Sequence, residues 1–103
     1  MLTGDYMQTY VYKLKLNTTY YEDTNWTDEV NQIIESHFNR LKTDFNMGLL
    51  KHVGRTSDPK GEGFGLVIFD STSFEDALNY MNDDPAVKAG IMTAELFEYK
   101  WIF

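Results

Sequence analysis

Only two imidazoles occur in this 103-residue sequence, His37 and His52, and there is no cysteine. Histidine is the side chain best suited to exchange protons near neutral pH, so acid–base chemistry is sought first around these two. His37 falls among apolar residues spaced three and four apart, Val30, Ile33, Ile34, Phe38, Leu41 and Phe45, and lies between Ile34 and Leu41 on the helical wheel. A polar ring on an apolar stripe costs roughly 1–3 kcal/mol if left unpaired. It therefore needs a partner. One reading is a core histidine satisfied by a single hydrogen bond. The other is a ring oriented through one nitrogen by a carboxylate, with the second nitrogen free as general base or acid. Asp83 and Asp84, in the run Asp-Asp-Pro, supply candidate carboxylates; they also read as a solvated helix terminator.

The cations form a second constellation. In strand-like segments, Lys13 and Lys15 share a face, and Arg55 shares one with Lys51 and Val53 while His52 points the other way. With Arg40, they are either ordinary solvated charge or a cationic patch that draws a carboxylate or enolate into an acidic protein. Lys13, Arg40 and Arg55 are thus the candidate substrate-binding residues. Other chemistries are absent. Without cysteine there is no disulfide, thiolate metal site, iron–sulfur cluster or cysteine nucleophile. No paired-histidine spacing suggests a metal. Gly61, Gly63 and Gly65 precede no helix, so they make no dinucleotide fingerprint. No cofactor is expected. Ser71, Thr72 and Ser73 read as helix-cap residues, not nucleophiles. Tyr10, Tyr12, Tyr20, Tyr21 and Trp26 read as core or interface aromatics, some of them able to line an apolar pocket.

Nine Lys and Arg against 16 Asp and Glu leave a net charge of −7, which repels phosphate backbones and argues against nucleic-acid or anionic-membrane partners. The segment MLTGDYMQTY has neither a basic stretch nor an apolar run, so no signal peptide is expected. The longest strongly apolar run, residues 64–69, is far short of the roughly 20 that span a bilayer. A cytoplasmic protein is the expectation, and the two Asn-X-Thr sequons, at Asn17 and Asn25, read as chance. An apolar content of 43%, with 16% aromatic residues, suffices for the core of one domain over residues 1–103 and excludes intrinsic disorder.

The periodicity changes along the chain and defines the elements that must hold these groups. Residues 8–16, QTYVYKLKL, alternate as a strand. Thr27 is a helix N-cap, Asp28 and Glu29 suit the positive helix end, and the apolar stripe runs about five turns to Gly48, placed to end the helix in the left-handed conformation. Residues 49–56 predict a second strand, 57–61 a turn-rich loop, and 63–70 a third strand. Ser73 predicts the cap of a second helix, with Asp76 as a capping-box variant and Phe74, Ala77, Leu78 and Met81 as its stripe. Pro85 biases Asp84 out of helical space and ends it. Residues 91–102 predict a long last strand.

The order βαββαβ with right-handed crossovers predicts an α+β, ferredoxin-like fold: a four-stranded antiparallel sheet in order 4-1-3-2 with two helices on one face. Strands three and four are apolar on both faces, and two helices cover only one. The uncovered face predicts a homodimer in which two sheets face each other.

The stretches SHFNRL with NMGLLKHVG, GFGLVIFDSTSFEDA, and DDPAVKAGIMTAELFEY together resemble the YCII-related family, over most of the chain. The resemblance implies a ferredoxin-like dimer of the α+β barrel kind and a His–Asp site, which by motif position falls on His37 and Asp84. It departs at Gly54-Arg55, where the family commonly has Gly-Pro, and in a short loop over residues 57–62. The expected function is a small cofactor-independent enzyme in which His37, oriented by Asp84, abstracts a proton beside a carbonyl, with isomerisation or elimination of a small carbonyl or ring metabolite. The alternative is a non-catalytic module on the same dimeric barrel that binds a small ligand or a partner protein.

Overall fold

The computed structural model describes residues 7–103. The expectation about the amino-terminal segment falls, for residues 1–6, outside the described residues.

The elements are β1 (Gln8–Leu16), two short 3-10 turns (Thr18–Tyr21 and Asp23–Asn25), α1 (Asp28–Asn46), β2 (Leu50–Arg55), β3 (Gly65–Ser71), α2 (Phe74–Asn82), α3 (Pro85–Lys88) and β4 (Met92–Glu98). The sheet runs β2-β3-β1-β4 with every neighbouring pair antiparallel, which is the expected ferredoxin-like order. Pleating puts Tyr10, Tyr12 and Leu14 of β1 with Val67 and Phe69 of β3 on one face, where Leu41 of α1 and Ala77 and Met81 of α2 bury them. Both long helices therefore cover the same side.

The local signals act as read. The Thr27 hydroxyl accepts the Val30 N–H at 3.2 Å, and Gly48 (φ +83°) ends the helix. Ser73 Oγ accepts the Asp76 N–H at 3.0 Å, but the reciprocal half of the box differs: the Asp76 carboxylate accepts from the Thr72 hydroxyl at 2.7 Å. Three boundaries depart from expectation. β3 begins at Gly65, not residue 63, because Gly63 is turned into the loop, where a Cβ would lie 1.9 Å from the Asp58 carbonyl oxygen. β4 ends at Glu98. Beyond it the Tyr99 N–H makes one further bond, to the Thr9 carbonyl at 2.9 Å, and the ladder goes no further. And Pro85 starts a third helix instead of simply closing the second.

The opposite face of the sheet carries Val11 paired with Ile68 on one side and Phe97 on the other. Phe97, Tyr99 and Trp101 are exposed, and the Trp101 indole N–H donates to the Thr9 hydroxyl at 3.1 Å. No helix among the described residues is long and apolar enough to cross a membrane.

Candidate active site

Ile34, His37 and Leu41 fall at helical spacing on the inner side of α1. His37 and Leu41 are the buried residues of that helix, whereas Phe38 and Phe45 of the same stripe are half exposed. The polar member of the stripe, at 2% exposure, thus lies deeper than most of its apolar neighbours. Asp84 reaches it from the far end of α2. That helix stops at Asn82, and Asp84 takes an extended backbone (φ −59°, ψ 125°), as the following proline requires. Pro85 then occupies the first turn of α3, where its missing N–H is no loss. α3 packs on α1, carrying the fully buried Asp84 carboxylate to the imidazole.

Three donors converge on that carboxylate. His37 Nδ1 lies 2.7 Å from Asp84 Oδ1, the Ala86 N–H donates to Oδ1 at 2.9 Å, and the Tyr12 hydroxyl donates to Oδ2 at 2.9 Å. Burial alone would raise the Asp84 carboxyl. The hydrogen bond and charge of His37, then the Tyr12 hydroxyl and the Ala86 amide, outweigh it and hold the group below the usual carboxylate range. An ionised carboxylate only accepts, so Nδ1 carries the shared proton. In the neutral ring, Nε2 then holds a free lone pair, and it has no hydrogen-bond partner among the described residues. Tyr12 is the complementary case: burial first, then the charge of Asp84, push its phenol far above the usual range, so it stays a donor.

His37 borders a cavity of about 380 Å³. Its walls are apolar, with Leu14, Ile34, Phe38, Val53, Phe64 and Met92 prominent, and Trp26 contributes from the second 3-10 turn's end. The size lies within the range of small-molecule pockets. Among the described residues, His37 and Arg55 are the ionisable side chains in its lining. The loop that brings Pro59 to the rim is pinned by the Gly61 N–H to the Tyr21 hydroxyl at 2.8 Å and by Lys15 Nζ to the Gly61 carbonyl at 2.9 Å.

Of the expected site residues, His37 and Asp84 meet, and Arg55 joins His37 at the cavity. Lys13 and Arg40 are not brought there. Strand pleating pairs Lys13 with Leu66 and Glu95, away from the helix side; its ammonium lies 5.0 Å from the ring of the cavity-wall residue Phe64 but does not itself line the cavity. Arg40 turns toward α2, stacks on Tyr80 at 4.0 Å and donates to the Tyr80 carbonyl at 2.8 Å. A bulge between Leu50 and His52 also removes Lys51 from the face of Arg55; it approaches Asp70 at 3.5 Å. Among the described residues no group of three His, Asp or Glu side chains converges as a metal site.

Tyr12 was legible only as a core aromatic. The available signal was its alternation with Tyr10 and Leu14 on the helix-facing side, since a buried phenol must find a hydrogen-bond partner. Its partner could not be read, because Asp84 is 72 residues away.

Fold and site together define a ferredoxin-like α+β domain with a buried His–Asp pair at an apolar cavity. The chain belongs to the YCII-related domain family, whose family model matches residues 12–100. No curated protein matches the chain.

Proposed function

We propose that this protein is a small cofactor-independent enzyme in which His37 is the general base and acid for proton transfer at a carbon beside a carbonyl. The observation that carries the reading is the 2.7 Å contact between His37 Nδ1 and Asp84 Oδ1 at the edge of the cavity. It leaves Nε2 as the proton acceptor. The Nε2 lone pair takes the proton, the C–H electron pair becomes the C=C bond of an enolate, and the carbonyl oxygen gains the charge. Asp84 then faces an imidazolium and stabilises it. Returning the proton at another carbon gives isomerisation; loss of a leaving group from the neighbouring carbon gives elimination.

In this reading Arg55 binds substrate, and a second copy of the chain covers the exposed aromatic rings Phe97, Tyr99 and Trp101 on the side of the sheet away from the helices. The catalytic part is tested by solvent exchange. Phenylpyruvate, an enolisable ketone with an apolar ring, is incubated in D2O, and loss of its benzylic protons is followed by NMR. Wild type accelerates exchange, and His37→Gln lowers the acceleration by about 10²–10⁴, the range of a general base. Equal exchange by the two proteins, with the variant folded by circular dichroism, refutes the role of His37. Absence of any acceleration by wild type with phenylpyruvate and with a panel of small enolisable lactones leaves ligand binding as the better reading.

A further inference from the structure

The chain carries more negative than positive charge, yet among the described residues the lining of the cavity beside His37 includes no Asp or Glu and one permanent cation, Arg55. That guanidinium is anchored on one side only. Its Nη1 donates to the Thr56 carbonyl at 2.9 Å and to the Ser57 carbonyl at 3.0 Å, which uses both Nη1 protons. The Nε and Nη2 N–H groups make no hydrogen bond to any described residue, and neither ion pair among the described residues involves Arg55. Asp58, on the adjoining loop, turns its carboxylate to the Lys60 N–H at 2.9 Å. Nε and Nη2 together form the edge of a guanidinium that grips a carboxylate through two parallel hydrogen bonds. Arg55 Nη1 is held to the backbone of the strand end, so this edge needs little ordering when a ligand arrives.

We propose that the ligand of this cavity is an organic monoanion: an apolar ring or branched chain bearing a carboxylate that Arg55 grips, with its reactive carbon toward His37. The proposal takes its second contact from the acid–base reading above, but the choice of an anion rests on Arg55. Apolar walls strengthen the discrimination. A carboxylate finds its counter-charge there, whereas an ammonium would meet Arg55 and find no acidic group among the described lining residues. A neutral analogue fills the same volume and forfeits the paired hydrogen bonds and the charge attraction. The dimensions favour a small metabolite over a peptide, because the cavity is near the lower end of ligand pockets.

The test compares phenylpyruvate with phenylacetone, the same benzyl ketone with a methyl group in place of the carboxylate. Binding is measured by calorimetry or NMR shift titration. Wild type binds phenylpyruvate at least about tenfold more tightly, the low end expected for a charged hydrogen-bonded pair at a partly exposed site. The preference shrinks with added salt. Arg55→Gln abolishes it. Equal affinity of wild type for the two ketones, no phenylpyruvate binding in the millimolar range, or an undiminished preference in folded Arg55→Gln overturns the proposal. His37→Gln separates the two claims. If it keeps the anion preference while wild type itself catalyses no exchange, the binding proposal stands and the catalytic reading falls.

Discussion

The Tyr12 hydroxyl donates a 2.9 Å hydrogen bond to Asp84 Oδ2, on the opposite side of the carboxylate from His37. Both residues are 0% exposed. An interior strand of the sheet thereby holds the second oxygen of the group whose first oxygen orients the imidazole. Asp84 cannot rotate to offer His37 a different lone pair without breaking the Tyr12 and Ala86 bonds together. The relay makes Tyr12 a positioning residue for His37, acting through Asp84.

Tyr12→Phe is expected to cost about 1–3 kcal/mol of stability, read from urea unfolding, because it leaves a buried carboxylate oxygen without its donor. The aromatic packing is retained. If the positioning role holds, the maximal rate of phenylpyruvate exchange falls while phenylpyruvate affinity changes little. A purely structural phenol would lower stability and leave the rate of the folded fraction untouched.

Asp84→Ala removes the acceptor for three donors at once and is expected to destabilise by about 3–5 kcal/mol, the range for breaking a buried charged pair. Asp84→Asn is the milder probe. Its carbonyl oxygen can still accept from His37 Nδ1 and from Ala86, but its charge no longer stabilises an imidazolium. The exchange rate then drops by at least about tenfold with little change in phenylpyruvate affinity. A wild-type rate in Asp84→Asn contradicts the proposed division of labour.

Asp84 also predicts a pH dependence with a definite sign. Its folded carboxyl is held below the ordinary value of about 3.9, so near and below that pH the unfolded chain binds a proton that the folded chain does not. The stabilising contribution is complete above about pH 4 and is lost as pH falls from there through the lower folded value. Denaturant unfolding between pH 5 and 2 is therefore expected to show a shallower acid loss in Asp84→Asn than in wild type. Parallel curves would assign the acid sensitivity to other carboxylates.

The open sheet face predicts self-association. Phe97 is 44% and Trp101 57% exposed on the side of the sheet away from the helices, where Val11 and Ile68 are already buried within one chain. Light scattering at micromolar concentration should give twice the 12.0 kDa chain mass, and Phe97→Glu should reduce it to one chain. A stable wild-type monomer refutes the pairing of sheets.

Strand alternation and helix stripes were enough to read the order of elements, because period two and period 3.6 are local properties, and right-handed crossovers then fixed the sheet order and the shared face of the two long helices. Ends were less legible. The extent of β4 depends on its pairing with β1, the bulge in β2 on the pairing with β3, and the α3 helix on whether the Asp84 side chain caps the turn begun by Pro85. The same limit applied to the cations. Lys13, Arg40 and Arg55 look alike in the sequence, but pleating and the Tyr80 ring draw the first two away, so Arg55 alone of the three borders the cavity.

His37 on an apolar stripe, and an aspartate unable to continue a helix before proline, are facts of local order; any copy of this chain carries them before it folds. That the two lie 2.7 Å apart, that a tyrosine from an interior strand completes the carboxylate's partners, and that an arginine borders the resulting hollow are consequences of packing α1, α3 and the sheet together. Such contacts join residues tens of positions apart. They depend on how far each helix extends and which way each strand pleats, distances that no short-range pattern encodes.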